Sequence, residues 1–263
     1  MPKLITCILL IFTMNACKTT NSQTQTQTTI TPSITTKNTL NNNPAPLTAK
    51  QKAFNLYLEA AQQGNASAQV QLGYRYSRGI GIQKDDIQSV YWYRSAAQQG
   101  NPDGQANLGN MYRNGRGGLI QDNIKALELI KLSVAQNNSK GLNELGYMYL
   151  KGIAVEQDYE LALELFLKSA KKGNKNSLGQ IGYIYYKGLG LQKSYPAALS
   201  WFQKGAEKKD HYSQFMLGFT HYNGQGVTKD IELAIFWLNR AAKNGSSAAK
   251  SKLASMYDKG EID

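Results

Sequence analysis

The sequence predicts an all-α solenoid, in which helix-turn-helix repeats of about 36 residues stack along one axis. The first observation is a Leu-Gly or Ile-Gly pair that recurs at intervals of 36, 37, 36 and 36 residues, with a Leu-Ala pair 36 residues later. The copies begin at Leu72, Leu108, Leu145, Ile181, Leu217 and Leu253. The second observation is a pair of mostly small residues that recurs in phase, from Ala60-Ala61 to Ala241-Ala242. A fixed period of this length is typical of solenoids, because one unit alone cannot bury its apolar face.

The first sixteen residues differ in kind from the repeats. Lys3 supplies a positive charge, and residues 4–12 form an apolar run that ends near Thr13. The run is far shorter than the roughly 20 residues that a membrane-spanning helix needs. We therefore predict a secretory signal peptide over residues 1–16 and an exported protein.

The stretch Met14-Asn15-Ala16-Cys17 decides how the signal is cleaved. An ordinary signal peptidase requires a small residue at position −3, and Met14 is too large. The stretch resembles a bacterial lipobox, which implies lipidation of Cys17 and, with more than one acyl chain, a stable anchor. Lys18 follows the cysteine, so the resemblance implies the periplasmic side of the outer membrane rather than the inner membrane. Met14 and Asn15 depart from the commonest lipobox residues, so an unlipidated Cys17 is the alternative.

Residues 17–49 separate the cysteine from the repeats. They are rich in Thr, Asn and Gln, and they carry only two charges, Lys18 and Lys37. Such a segment lacks the apolar content to form a core. It predicts a disordered tether that joins the lipidated cysteine to a solenoid over residues 50–263.

Charge and cysteine content limit the kinds of function. The two cysteines, Cys7 and Cys17, lie at or before the predicted cleavage site, so the solenoid has neither a disulfide nor a cysteine zinc site. Residues 50–263 hold 27 of the 30 basic residues and all 18 acidic ones, which leaves a net charge of +9. This balance favours an acidic partner or anionic head groups. The basic residues are scattered singly, which argues against nucleic acid.

Two helices are predicted in each repeat, taking residues 66–101 as the type. Leu72 and Tyr76, four residues apart, lie on one face of a first helix, helix A. Gly79 can adopt the left-handed conformation that ends such a helix. Asp85 is the predicted N-cap of a second helix, helix B.

Helix B is predicted to pack closely on helix A. Its residues Ser89, Trp92 and Ala96 share one face. A glycine follows the motif leucine in five copies, although glycine within a helix costs about 1 kcal/mol relative to alanine. We predict that helix B approaches at this glycine, with the tryptophan covering the gap. The positions concerned are Gly73, Gly109, Gly146, Gly182 and Gly218, and Trp92, Trp201 and Trp237.

The pattern across Leu72–Trp92 and Leu217–Trp237 resembles the Sel-one-like repeat, a relative of the tetratricopeptide repeat. The match covers residues 66–246 as five full repeats, with half units at about 50–63 and 247–259. The resemblance implies a right-handed α/α superhelix that binds proteins on a concave surface lined by the A helices.

A run of aromatic residues marks the predicted binding site. At 100° per residue, the second and fifth positions after the motif leucine fall roughly opposite the packed face, toward the groove. In repeats three to five these positions form what we call the ladder, which consists of Tyr147, Leu150, Tyr183, Tyr186, Phe219 and Tyr222. Amphipathic aromatic residues are typical anchors of interfaces. The alternative is that the second-position residues only pack against the neighbouring A helix.

Catalysis has little support in the sequence. The mature chain has two histidines, His211 and His221, no cysteine nucleophile, and no P-loop, HExxH or nucleophile-elbow motif. We predict no catalytic residues, no metal and no cofactor, and therefore a non-catalytic scaffold that binds an acidic protein partner at the bacterial envelope. The family resemblance also allows an immunity protein that neutralises a secreted toxin, such as a type VI phospholipase effector. A hydrolase is the remote third alternative.

Overall fold

The computed structural model describes residues 46–262, and these residues form twelve α-helices joined by short turns. The helices are α1 (Ala49–Gln62), α2 (Ala66–Arg78), α3 (Asp86–Gln98), α4 (Pro102–Asn114), α5 (Asn123–Ala135), α6 (Ser139–Lys151), α7 (Tyr159–Lys171), α8 (Lys175–Lys187), α9 (Tyr195–Glu207), α10 (His211–Asn223), α11 (Ile231–Lys243) and α12 (Ser247–Asp258). Over this range no helix combines the length and apolar character needed to cross a membrane. The predicted signal peptide, Cys17 and nearly all of the tether lie outside the described residues.

The helices pair as the repeat predicts. Helices α2, α4, α6, α8, α10 and α12 are A helices, and each of the first five packs against the B helix that follows it. Each A helix also packs against the preceding B helix, so α1 is a B-type half unit and α12 an A-type half unit. The predicted all-α repeat solenoid, with five full repeats and two half units, is confirmed.

The predicted signals end and begin the helices. Gly79 ends α2 in the left-handed conformation, with φ 67° and ψ 41°. Asp85 caps α3, because its Oδ1 accepts from the backbone N–H of Ile87 at 2.8 Å and of Gln88 at 3.0 Å. Ser194 replaces the aspartate before α9, and its hydroxyl accepts from the Ala197 N–H in the same way.

Close approach of helix B at the motif glycine is confirmed, but the tryptophan does not cover the gap. A Cβ added at Gly73 would lie 2.7 Å from the ring of Tyr93, the residue after Trp92. One residue turns a helix by about 100°, so Tyr93 faces the glycine while Trp92 is directed elsewhere. Trp92 packs in a cluster with Phe54 and Leu72.

The A helices line the inner side of the array. A helices of successive repeats contact each other, as α2 with α4, α4 with α6 and α8 with α10, whereas B helices make no contacts of similar extent within the described chain. Small residues four positions before the motif leucine let each A helix approach the preceding B helix. For example, a Cβ at Gly104 would lie 2.7 Å from the Cβ of Ala96. The solenoid therefore curves with its A helices on the concave side.

Candidate functional site

The second-position residues of the ladder lie half-buried on the concave side of the A helices. These residues are Tyr147 of α6, Tyr183 of α8 and Phe219 of α10. At two residues past the motif leucine, each side chain points about 200° away from the leucine, which is fully or nearly fully buried. Part of each ring therefore remains available to a partner, as the sequence predicts, and binding itself stays a prediction.

Two fifth-position residues do not face the groove. Leu150 is 2% exposed and lies in a core cluster with Phe166 and Ile184, and Tyr186 is 8% exposed. The prediction that Leu150 and Tyr186 form an accessible part of the ladder is wrong. The physical reason is that the fifth position lies about 140° from the motif leucine, only about 40° from the glycine that meets helix B. Both side chains consequently fill the space between successive repeats.

Tyr186 is fixed in this position by its neighbours. Its ring centroid lies 5.5 Å from that of Tyr195 and 6.5 Å from that of Phe202. Its hydroxyl donates to Oε1 of Gln225, in the turn of the next repeat, at 2.6 Å. Tyr186 therefore joins repeats four and five rather than presenting a binding surface.

Tyr222, the last residue of the ladder, is half-buried, and its hydroxyl is hydrogen-bonded to a carboxylate of the same chain. Its hydroxyl donates to both carboxylate oxygens of Glu261, at 2.8 and 3.0 Å. The ammonium of Lys252 lies 3.3 Å from the ring centroid, and that of Lys229 lies 5.7 Å from it. The hydroxyl of Tyr222 thus binds a carboxylate, while its ring lies beside two ammonium groups.

Basic residues of the preceding repeats lie beside the half-buried rings of Tyr147 and Tyr183. The guanidinium of Arg113 lies 4.5 Å from the ring centroid of Tyr147, and the ammonium of Lys151 lies 5.8 Å from that of Tyr183. Cations attract the faces of aromatic rings, so these contacts orient the rings and add positive charge beside them. Sequence reasoning missed the cation beside Tyr183, although Arg78, Lys151 and Lys187 recur at the sixth position after the motif leucine.

Two further aromatic residues widen the site beyond the predicted ladder. The ring of Tyr212 meets the ring of Tyr183 edge-on, with centroids 6.5 Å apart. The ring of Phe215 lies 6.0 Å from that of Phe219. We call the surface formed by Tyr147, Tyr183, Tyr212, Phe215, Phe219 and Tyr222 the aromatic half of the groove.

Tyr212 and Tyr222 remain neutral near physiological pH. Burial raises the pKa of Tyr212, and the hydrogen bond to Glu261 is the main cause that raises the pKa of Tyr222. Their hydroxyls therefore stay protonated and can donate hydrogen bonds to an acceptor. Lys151 adds positive charge to this half without forming an ion pair within the described residues, whereas Arg113 beside Tyr147 is paired with Glu144.

The other end of the groove is polar. A cavity of about 270 Å³ opens between α2, α4 and α6, and its walls are mostly amides and charged groups. At its centre, Oε2 of Glu144 accepts from Nδ2 of Asn110 at 3.0 Å and from Nη2 of Arg113 at 2.8 Å. We call this region the polar half of the groove. It is lined by Tyr74, Arg78, Asn107, Asn110, Lys140, Asn143, Glu144 and Asn176, among others.

The two histidines of the described chain lie far apart on one helix. His211 and His221 begin and nearly end the same helix, ten residues and therefore about 15 Å apart, so they do not form a pair. Among residues 46–262, no three His, Cys, Asp or Glu side chains are grouped so that they could hold a metal ion.

Comparisons with known proteins agree with the repeat pattern. The model of the Sel1 repeat matches residues 49–65, 66–101, 102–138, 139–174, 176–210 and 211–246. A solved Sel1 repeat protein from Oxalobacter formigenes is 31% identical, with a TM-score of 0.61 over 80% of this chain and 86% of that protein. No curated protein matches this chain.

Two other solved structures extend the comparison. The protein c5321, a protective antigen present in uropathogenic Escherichia coli strains that displays an SLR fold, is 33% identical over 81% of this chain, with a TM-score of 0.52. This chain spans only 45% of that protein. The immunity protein Pa5087 from Pseudomonas aeruginosa is 21% identical over 78% of each chain, with a TM-score of 0.55. At that identity the likeness concerns the fold alone.

Proposed function

Because this chain belongs to the Sel1 repeat family, whose repeats form a scaffold suited to protein–protein interaction, we propose that it is a non-catalytic adaptor of the bacterial envelope. In this proposal the aromatic half of the groove binds an acidic tail, loop or helix of a protein partner. The half-buried residues Tyr147, Tyr183, Phe219 and Tyr222 contact the partner. Leu150 and Tyr186 support the groove from beneath.

The contact between Tyr222 and Glu261 carries the proposal. A carboxylate of the chain itself, that of Glu261, accepts the hydrogen bond of the Tyr222 hydroxyl, and the ammonium group of Lys252 contacts the ring of the same tyrosine. A hydrogen bond to an ionised acceptor is roughly twice as strong as a neutral one. The same groups can receive an aspartate or glutamate of a partner, so the end of the aromatic half has the chemistry of a carboxylate site.

Neighbouring lysines extend this preference along the groove. Lys151 and Lys187, at equivalent positions of α6 and α8, are exposed and form no ion pair within the described residues. Exposed charges of one sign attract an oppositely charged partner and increase its association rate. The rings supply apolar contact area, and the lysines select acidic segments.

Attachment to the membrane is a separate part of the proposal and depends on the sequence alone. Cys17 is the proposed lipidation site, and Lys18 favours the outer membrane, with the solenoid in the periplasm. Radiolabelled palmitate should enter the parent protein but not a Cys17→Ala variant. Equal labelling of both would exclude Cys17 as the acylated residue.

The groove is tested by capture from envelope extracts with residues 46–263. A variant with Tyr147→Ser, Tyr183→Ser and Phe219→Ser should lose the partner, because a few aromatic anchors supply most of the binding energy of an interface. The matched control changes three exposed aromatic residues outside the groove, with Tyr91→Ser, Phe236→Ser and Tyr257→Ser.

The two variants separate binding from general effects. Both should keep the helical circular dichroism of the parent, and only the groove variant should lose the captured protein. Capture by the groove variant at the level of the parent would exclude the aromatic half as the site.

The second candidate function is that of an immunity protein. The net positive charge of the solenoid favours it, because a basic surface attracts an acidic toxin. In that case the groove would bind and block the toxin. Sensitive cells that export this protein should survive sibling attackers armed with the toxin, whereas cells with the groove variant should not. Equal killing with and without the protein would exclude this role.

A further inference from the structure

All turns from an A helix to its B helix lie at one edge of the solenoid, which we call the turn edge. Each turn packs on the start of the preceding B helix. A Cβ at Gly81 would clash with the backbone of Lys50, and one at Gly117 would clash with the backbone of Asp86. The start of α1, the first two turns and the starts of α3 and α5 are therefore contiguous.

The part of this edge nearest the N-terminus is unusually apolar. Five aliphatic side chains there are exposed, and Ile120 is 89% exposed. The others are Leu47 at 48%, Ile82 at 38%, Ile87 at 65% and Ile124 at 61%. Single exposed apolar residues are ordinary, but contiguous groups mark sites of interaction with a protein or a membrane. The corresponding helix positions of repeats three to five hold Glu160, Pro196 and Glu232.

Exposed lysines, together with the helix-capping carboxylates of Asp85 and Asp122, lie near the exposed aliphatic residues. Lys50, Lys84 and Lys125 are exposed around them. The nearby carboxylate of Asp86 is neutralised by Arg116, whose Nη2 lies 2.7 Å from Oδ1. Exposed acidic residues are concentrated instead at the far part of the edge, at Glu156, Asp158, Glu160, Asp230 and Glu232.

We propose that this apolar and basic part of the turn edge docks on an anionic lipid surface. Aliphatic side chains that enter the interface, together with lysines that meet anionic head groups, form the usual chemistry of peripheral membrane binding. The described chain begins at Pro46, directly before α1, so residues 1–45 are joined to the solenoid at this edge. Docking here would direct the far repeats away from the bilayer, and the inference is independent of the groove.

The test uses residues 46–263, which carry no acylation site and contain all six core clusters. Co-sedimentation is measured with vesicles of phosphatidylcholine, with and without phosphatidylglycerol. The parent should bind the vesicles that contain phosphatidylglycerol. The variant Ile87→Ser, Ile120→Ser, Ile124→Ser should bind them about tenfold more weakly, because these side chains no longer enter the interface.

A control variant removes the same kind of side chain elsewhere on the B helices. The changes Leu132→Ser, Leu167→Ser and Phe236→Ser affect residues that are 53%, 40% and 47% exposed, and binding should stay within about twofold of the parent. A parent that binds no vesicle, or a control as weak as the edge variant, would overturn the proposal. Sedimentation in the absence of lipid gives a further test. If the parent self-associates and the edge variant does not, the turn edge binds a second copy of the chain, and the proposal is overturned.

Discussion

The polar half and the aromatic half of the groove are lined by the same positions of successive A helices, yet their side chains are used differently. In the polar half, Asn110 and Arg113 both donate to Glu144, so these polar groups are paired with one another. In the aromatic half, the equivalent position of Asn110 holds Tyr183, and Lys151 beside it forms no ion pair within the described residues.

This difference separates the residues that build the solenoid from those that are available to a partner. The glycine after the motif leucine and the small residue four positions before it set the spacing of the helices in both halves. The second position after the leucine lies outside that packing, so it accepts Asn110 as readily as Tyr147. We infer that the polar half mainly stabilises the array and that the aromatic half mainly binds.

The largest expected effect comes from breaking the polar network at Glu144. Glu144→Gln removes the charge that pairs with the largely buried Arg113, and we expect the free energy of unfolding to fall by about 2 kcal/mol. Gln180→Ala, at the equivalent position one repeat later, should change it by less than about 0.5 kcal/mol. Urea unfolding followed by circular dichroism measures both. Equal losses would mean that the two halves do not differ in their structural role.

The next effect concerns the charge of the aromatic half. Residues 46–263 can be used to select peptides from a random displayed library, and the selected peptide should be acidic. The double change Lys151→Glu and Lys187→Glu should weaken its binding about tenfold. The matched control reverses two charges of the polar half, with Arg78→Glu and Lys140→Glu, and should weaken binding less than about threefold. Titration calorimetry at two salt concentrations checks both. If the control loses as much affinity, net charge rather than the aromatic half selects the peptide.

Much of the fold was predictable from the sequence because it depends on local rules that repeat. The period, the left-handed glycine after helix A and the Asp85 cap each follow from neighbouring residues. We predicted Trp92 at the glycine, but Tyr93 lies there. The two residues are adjacent, so the prediction was wrong by about 100° of helix rotation. A helical wheel gives angles only to that precision.

The candidate site was less predictable, because its details arise between repeats. Leu150 is buried by residues of the next repeat, such as Ile184, which its own helix does not reveal. The cations over Tyr147 and Tyr183 come from the last turn of the preceding A helix, in a position that needs the solenoid curvature to be known. Glu261 lies after the last helix, so no repeat pattern points to its contact with Tyr222.

A smaller effect is expected from joining the two halves. Tyr74 and Tyr147 occupy the second position in repeats one and three, and Asn110 separates them. Asn110→Tyr should tighten the selected peptide about threefold by continuing the row of rings, while Arg113 still satisfies Glu144. Asn114→Tyr adds a ring one turn further along, at a position outside the row, and should have no effect. Fluorescence anisotropy compares them, and equal gains would show that any added ring suffices.

The smallest effect is expected at the end of the aromatic half, where the carboxylate of Glu261 accepts the hydrogen bond of Tyr222. Because the carboxylate of Glu261 is the main cause of the raised pKa of Tyr222, Glu261→Gln should lower that pKa toward 10.0. Titration of ring carbon signals by NMR, assigned with Tyr222→Phe, measures the shift. The neutral amide is also a weaker acceptor for the Tyr222 hydroxyl than the carboxylate, so an acidic peptide should displace it more readily and bind about twofold more tightly. A lowered pKa without any gain in affinity would mean that the peptide ends before Tyr222, and that the binding surface extends from Tyr147 only as far as Phe219.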